Sequence, residues 1–457
     1  MVLVAPKKIT RRASLPRLVA AGGLWGSLLV ATLPGCAPEE TLNPRVDCST
    51  SAMNQRLLRR MHETYLWNKE IPADVDPLAY DSPAALLDAI VYSERDLWSH
   101  ISPAATVSAY YGEGKSMGLG VRWKFDADGA FRIAMTYEGA PAAEAGLLRG
   151  DEVLAINGVD IETIDAEGRW GSATGEDAEG VAVELRVRRA GGEPETITLH
   201  KRVYTLLSVA APKIFEVGGR KIGYLLVDRF ITPTYAGLRS AFAVLDEAQV
   251  QDLILDLRYN GGGLTEASRV LASFIGGKPL DGRAYSLTLH NDQQRSEDAI
   301  ARFSIAENQL SLPRLAVITT GSSASASELV INGLDPWIRV GLIGATTYGK
   351  PVGSRAYTEC EMTVSAITFR TVNADGDGGY FDGLPVDCAA EDQLGAQLGD
   401  PAEASIAEAI HWLTSNVDGE PGVVESCSVT AGSSAALRPP PRRQPQLRGF
   451  LLEVGAF

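Results

Sequence analysis

The sequence predicts an α/β domain on a mostly parallel sheet, preceded by a small helical domain and a β-rich domain, within a chain of 457 residues. Three observations predict this. From about residue 206 short apolar runs alternate with amphipathic stretches, the pattern of strand–helix repeats with a buried sheet. Between 112 and 203 the runs are short, alternate in polarity and are divided by glycine turns. In 51–105 two stretches carry apolar residues at helical spacing. The apolar content of 45% belongs to an ordinary globular protein, and the length leaves room for about three domains.

Residues 1–36 read as an export segment: Lys7, Lys8, Arg11, Arg12 and Arg17 precede the apolar run 18–33, which is too short and too glycine-rich for a spanning helix. The run ends in Leu-Pro-Gly-Cys, which resembles the bacterial lipobox, although Pro34 is an unusual occupant of its position. That resemblance implies a lipid on Cys36, loss of 1–35, and attachment to a membrane of the cell envelope, on the outer-membrane or periplasmic side. A plain cleaved signal is the alternative, and "TRRASL" adds a weak twin-arginine motif.

In the helical domain, 51–105, Ser82 and Pro83 supply an N-cap and a first-position proline, and Tyr65, Trp67 and Trp98 read as core. The β-rich domain, 112–203, holds "GAPAAEAGLLRGDEVLAINGVDI" (139–161), which resembles the second half of PDZ domains in bacterial proteases. Gly118, Leu119 and Gly120 then fall at the carboxylate-binding loop, where backbone N–H groups turn toward one anion and a sheet edge accepts a peptide as an added strand. The resemblance implies capture of free protein C-termini.

The α/β domain, 206–418, runs through "KIGYLLVDRF", "QDLILDLR" and "RLAVITT" as strands, with helical stretches between them and a closing helix at 401–413. The tail 419–457 is rich in Ser, Pro and Arg and reads as flexible. Its apolar end, "LLEVGAF", is a candidate guest of the chain's own PDZ-like module.

"TTGSSASASELVING" (319–333) follows a strand and opens a helix, which puts small residues at the carboxyl edge of a sheet, where α/β folds place chemistry. A serine there needs a base and oxyanion donors. "SASASE" (323–328), with "TTYGKPVG" (346–353) and "LILDLRYNGGG" (253–263), resembles the C-terminal processing, or tail-specific, peptidases over roughly 55–415. The resemblance implies Ser325 as nucleophile, Lys350, 25 residues downstream, as base, and backbone N–H groups of Ala326 and of Gly262 or Gly263 as the oxyanion hole. A lysine can act so only where loss of water favours its neutral form. Family members often carry glutamine four residues after the lysine. Here the position is Ser354, a shorter candidate for orienting the amine. Glu328 reads as structural, an acid in the first helical turn, and Ser322, Ser323 and Ser327 as turn and cap residues.

Rival chemistries lack residues. Neither His290 nor His411 sits in a triad-like context. The five histidines and five cysteines show no zinc spacing, so no metal is expected. "NADGDGG" (373–379) begins like a calcium loop but has Leu384 at its twelfth position, and "NGGG" lacks the rest of a phosphate loop. No cofactor is expected. A formal charge of −15 argues against nucleic acid. Apart from Cys36, the four cysteines allow two disulfides whose pairing stays open, Cys360–Cys388 being one candidate that closes a compact loop. The expected function is therefore a secreted Ser–Lys endopeptidase acting on protein tails. A silent PDZ lipoprotein scaffold is the alternative, and a structural envelope protein the third reading.

Overall fold

The computed structural model describes residues 46–415 and Cys427–Ser428. The export segment with Cys36, and the tail beyond those two residues, lie outside the described residues.

The α/β domain is organised by a six-stranded sheet in the order Lys213–Val217, Arg220–Leu226, Asp252–Asp256, Arg314–Thr319, Arg339–Gly344, Cys388–Ala389. The first two strands form an antiparallel hairpin at one edge, and the following four pairings are parallel. Strand periodicity sends alternate residues to opposite faces. Leu225, Leu253, Leu255, Leu315 and Val317 meet helices Thr234–Glu247, Thr265–Gly276 and Ala326–Leu334 on one side. Tyr224, Ile254, Ala316 and Ile318 meet helix Ala404–Thr414 and Met135, Tyr137 and Ala140 of the β-rich domain on the other. Both faces are covered, which is why these strands read as unbroken apolar runs.

The expectation of a mostly parallel sheet applies to this one sheet. Strands Ala299–Arg302, Ala284–His290, Ile367–Val372 and Val352–Ser354 form an antiparallel four-stranded sheet. The molecule as a whole is therefore mixed: closely spaced reversals such as 352–372 return as hairpins, and a parallel return would need a long crossover.

Ser82 caps helix Pro83–Ile90 by accepting from Ala85 N, with Pro83 in the first turn. The N-terminal segment is not purely helical. His100–Pro103 pairs with Met362–Ser365, and Leu66 N donates to Ile367 O, so this segment is hydrogen-bonded into the α/β domain. Tyr65 and Trp98 are buried there, and Trp67 packs at the margin. The β-rich domain is an antiparallel sheet ordered Val121–Phe125, Phe131–Thr136, Glu152–Ile156, Ala182–Arg188, Pro194–His200.

The disulfides are Cys48–Cys360 and Cys388–Cys427. The Cys360–Cys388 candidate is therefore wrong. Cys360 sits at the tip of the 357–365 hairpin, against the start of helix Thr50–Thr64, whereas Cys388 ends the central sheet. "NADGDGG" closes on itself: Asn373 Oδ1 accepts from Asp375 N and Asp377 N, as in an ordinary Asn-led turn.

Two buried ionic clusters join the β-rich domain to the α/β domain. Asp392 receives Lys124 at 2.8 Å and Arg149 at 2.6 Å from the first, and Arg258 at 2.9 Å and the Tyr259 hydroxyl at 2.7 Å from the second. Asp228 receives Arg122 at 3.2 Å and also bonds Arg229 and the Tyr137 hydroxyl. Burial pushes the Asp392 carboxyl up, but Lys124, Arg258 and Arg149 outweigh it and hold it far below the usual carboxylate range. A depressed folded-state pKa gives stability that is present above the unfolded pKa and lost as pH falls toward the folded one. Asp392→Asn is expected to cost about 3–5 kcal/mol at pH 7, because three cations lose their shared anion. In urea titrations the gap to wild type should narrow on acidification below about pH 4. A gap unchanged with pH would contradict this role.

Candidate active site

Strand Arg314–Thr319 ends at the carboxyl edge of the central sheet, and the turn after it is laced to the neighbouring loop. Ser323 Oγ donates to Leu257 O at 2.8 Å, Ala324 N to Asn260 O at 3.0 Å, and Ser327 Oγ to Asn260 O at 2.7 Å. Ser323 Oγ also accepts from Thr320 N. Ser323 and Ser327 thus fasten the turn, and Ser325 is presented at the N-cap of helix Ala326–Leu334.

Ser325 has φ 55° and ψ −114°, a conformation that side chains with a Cβ rarely adopt. Its neighbour is Gly262, whose added Cβ would lie 2.7 Å from Ser325 Cβ and 2.9 Å from Ala324 O, so only glycine allows this approach. The strain predicts an ordering of variants. Ser325→Gly should be more stable than Ser325→Ala by about 1 kcal/mol or more, measured by urea midpoints. Equal midpoints would mean that the backbone holds no strain.

Glu328, one helical turn on and fully buried, joins the two candidate catalytic residues. Its Oε2 accepts from Ser325 N and from Lys350 N, each at 2.8 Å. Its Oε1 accepts from Thr347 Oγ1 at 2.6 Å and Gly349 N at 2.7 Å. Burial pushes its carboxyl above the ordinary range, against the opposing pull of these four donors. Sequence reading placed Glu328 in a helix-dipole role; that it binds the backbone of residue 350 is a long-range contact invisible in a local motif.

Lys350 is 7% exposed and follows Gly349, whose φ of +92° and proximity to Phe381 O admit no side chain. Among the described residues no hydrogen bond joins the Ser325 hydroxyl to the Lys350 amine. Ser354 lies on strand Val352–Ser354, beside a register shift opposite Ile367, and its hydroxyl makes no hydrogen bond to Lys350.

Of the predicted oxyanion donors, Gly262 N is already committed to Asn260 Oδ1 at 2.9 Å. Gly263 is held close to Phe230, with Leu264 N donating to Phe230 O and Phe230 N to Gly262 O. The N–H groups of Gly263 and Ala326 make no hydrogen bond among the described residues. His290 pairs with Asp298 at 3.2 Å and His411 lies on helix Ala404–Thr414; neither bonds Ser325. Gly118, Leu119 and Gly120 link strands Lys115–Gly118 and Val121–Phe125. An added Cβ on Gly120 would fall 2.1 Å from Ala140 Cβ, so the loop lies directly on the 139–146 segment, while Leu119 is buried in the domain core.

A model of peptidase family S41 matches residues 221–378, one of the family's N-terminal domain matches 52–100, and a PDZ-domain model matches 133–189. Residues 221–378 belong to peptidase family S41. The chain is 30% identical over 239 residues to the carboxyl-terminal-processing protease of Synechocystis sp., covering 52% of the chain and 53% of the relative. It is 26% identical over 261 residues to the carboxy-terminal processing protease CtpB of Bacillus subtilis, covering 57% and 50%. The chain thus spans about half the length of the curated relatives it matches. Its fold resembles that of a putative S41 protease from Bacteroides fragilis, with TM-score 0.63 and 22% identity over 79% of this chain and 97% of that one.

Proposed function

We propose that this chain is a serine endopeptidase of Ser–Lys type that takes protein C-terminal tails through its PDZ domain. The observation that carries the reading is the single oxygen of Glu328 shared by the backbone amides of Ser325 and Lys350, which ties the backbones of the two candidate residues to one atom. Ser325 Oγ attacks the scissile carbonyl as its proton passes to the Lys350 amine. The developing oxyanion is met by the N–H groups of Ala326 and Gly263. The lysine then returns the proton to the leaving amine, and water releases the acyl group. Gly118, Leu119 and Gly120 would receive the substrate's terminal carboxylate, and lipid on Cys36 would tether the enzyme to an envelope membrane.

The alternative, a silent peptide-binding scaffold, is favoured by the short Ser354. A serine-directed fluorophosphonate separates the readings. The enzyme should gain one adduct on Ser325, located by mass spectrometry, at a rate that falls in Lys350→Ala. A scaffold would stay unlabelled while still binding a peptide with an apolar free C-terminus, and amidation of that C-terminus should abolish binding in either case.

A further inference from the structure

We infer that the N-terminal domain completes the base site, with Trp98 as the positioning residue that walls the Lys350 amine from water. The inference rests on the reading of Lys350 as the base. Trp98 is 1% exposed, and Lys350 Nζ lies 5.8 Å from its ring centroid. The ring brackets the lysine along the chain: it meets Tyr348 edge-on at 6.5 Å and shares a buried cluster with Val352.

The wall is fixed from behind by a buried carboxylate. Asp96 Oδ1 accepts from Trp98 N and Ser99 N, both at 2.9 Å, and Asp96 Oδ2 accepts from Tyr65 OH at 2.8 Å and Ser99 Oγ at 2.5 Å. Ser99 Oγ in turn accepts from Ile367 N at 3.0 Å. Ile367 stands opposite Ser354 on the strand paired with the one that follows Lys350. The Trp98 turn is therefore held in register with the strand that follows Lys350.

The ring face lies within reach of Nζ, and the ring's bulk limits where the side chain can turn. Opening the wall removes the surface that fixes where the amine lies.

The test is steady-state cleavage of a peptide with an apolar C-terminus by wild type, Trp98→Ala, Trp98→Phe and Lys350→Ala. Trp98→Ala should lower kcat about tenfold or more and leave KM unchanged. Trp98→Phe, which keeps an apolar ring, should restore kcat. The inference is overturned if Trp98→Ala keeps the wild-type kcat while Lys350→Ala is inactive, or if Trp98→Phe loses as much as Trp98→Ala, since that is loss of structure alone. Full activity of Lys350→Ala would instead remove the Ser–Lys reading beneath it.

Discussion

Ser325→Ala is expected to cut kcat/KM for peptide cleavage by about 10⁴-fold or more, and Lys350→Ala by about 10²–10⁴-fold. The two residues act as one unit, so the double variant should be no worse than Ser325→Ala. The asymmetry follows from their tasks: without the hydroxyl no acyl-enzyme forms, whereas without the amine the hydroxyl remains and only its proton transfer is slowed. Both variants should stay folded for a reason specific to this site. Glu328 binds the backbone N–H of residues 325 and 350, not their side chains, and truncation to alanine leaves those bonds in place. Lost activity with unchanged urea midpoints would therefore report chemistry. Equal cleavage by wild type and both single variants would remove these residues from the mechanism.

Much of this site was legible because its parts are local. Small residues between an apolar strand and a helix put Ser325 at a sheet edge, whereas the glycines of "YNGGG", read as allowing a backbone to approach substrate, include Gly262, which lies against the serine itself. What stayed hidden depends on which distant segments meet. The positive φ of Ser325 has no signature in a serine. The commitment of Gly262 N to Asn260 Oδ1 removes a donor that three consecutive glycines seemed to offer equally. Trp98 read as core, and it is buried, but nothing in its own neighbourhood announces a lysine some 250 residues downstream. The parallel core sheet followed from alternating strand and helix patterns. The antiparallel pairing of 352–354 with 367–372, which places the stretch after Lys350, is a tertiary choice among short strands of similar composition. Disulfide pairing failed as a prediction for the same reason: loop length favoured Cys360–Cys388, and the fold carried those two residues to different sheets.

Glu328→Gln is expected to cost about 2–4 kcal/mol of stability and at least about 10²-fold in activity. The carboxylate serves four donors with two oxygens, and glutamine keeps one. Its amide would least disturb the side facing Thr347, whose hydroxyl can turn to accept, but Gly349 N then faces a donor inside the protein, at about 1–3 kcal/mol for a buried unsatisfied group. The reverse orientation strands Ser325 N and Lys350 N together. Either way the loop carrying the base shifts against the nucleophile, and displacement by about 1 Å suffices for a hundredfold loss. The pH dependence has a definite sign. Burial raises the folded-state pKa of Glu328, so its contribution is fully present below the unfolded value and declines as pH rises through the folded one. The stability difference between wild type and Glu328→Gln should therefore shrink as pH rises through a window just above the ordinary glutamate range of about 4.3. Asp392, whose pKa is displaced the other way, should gain in importance over the same rise. Urea titrations at pH 4 and pH 7 on the two variants would have to show slopes of opposite sign; parallel slopes would mean that one of these buried carboxylates is not held as its neighbours dictate.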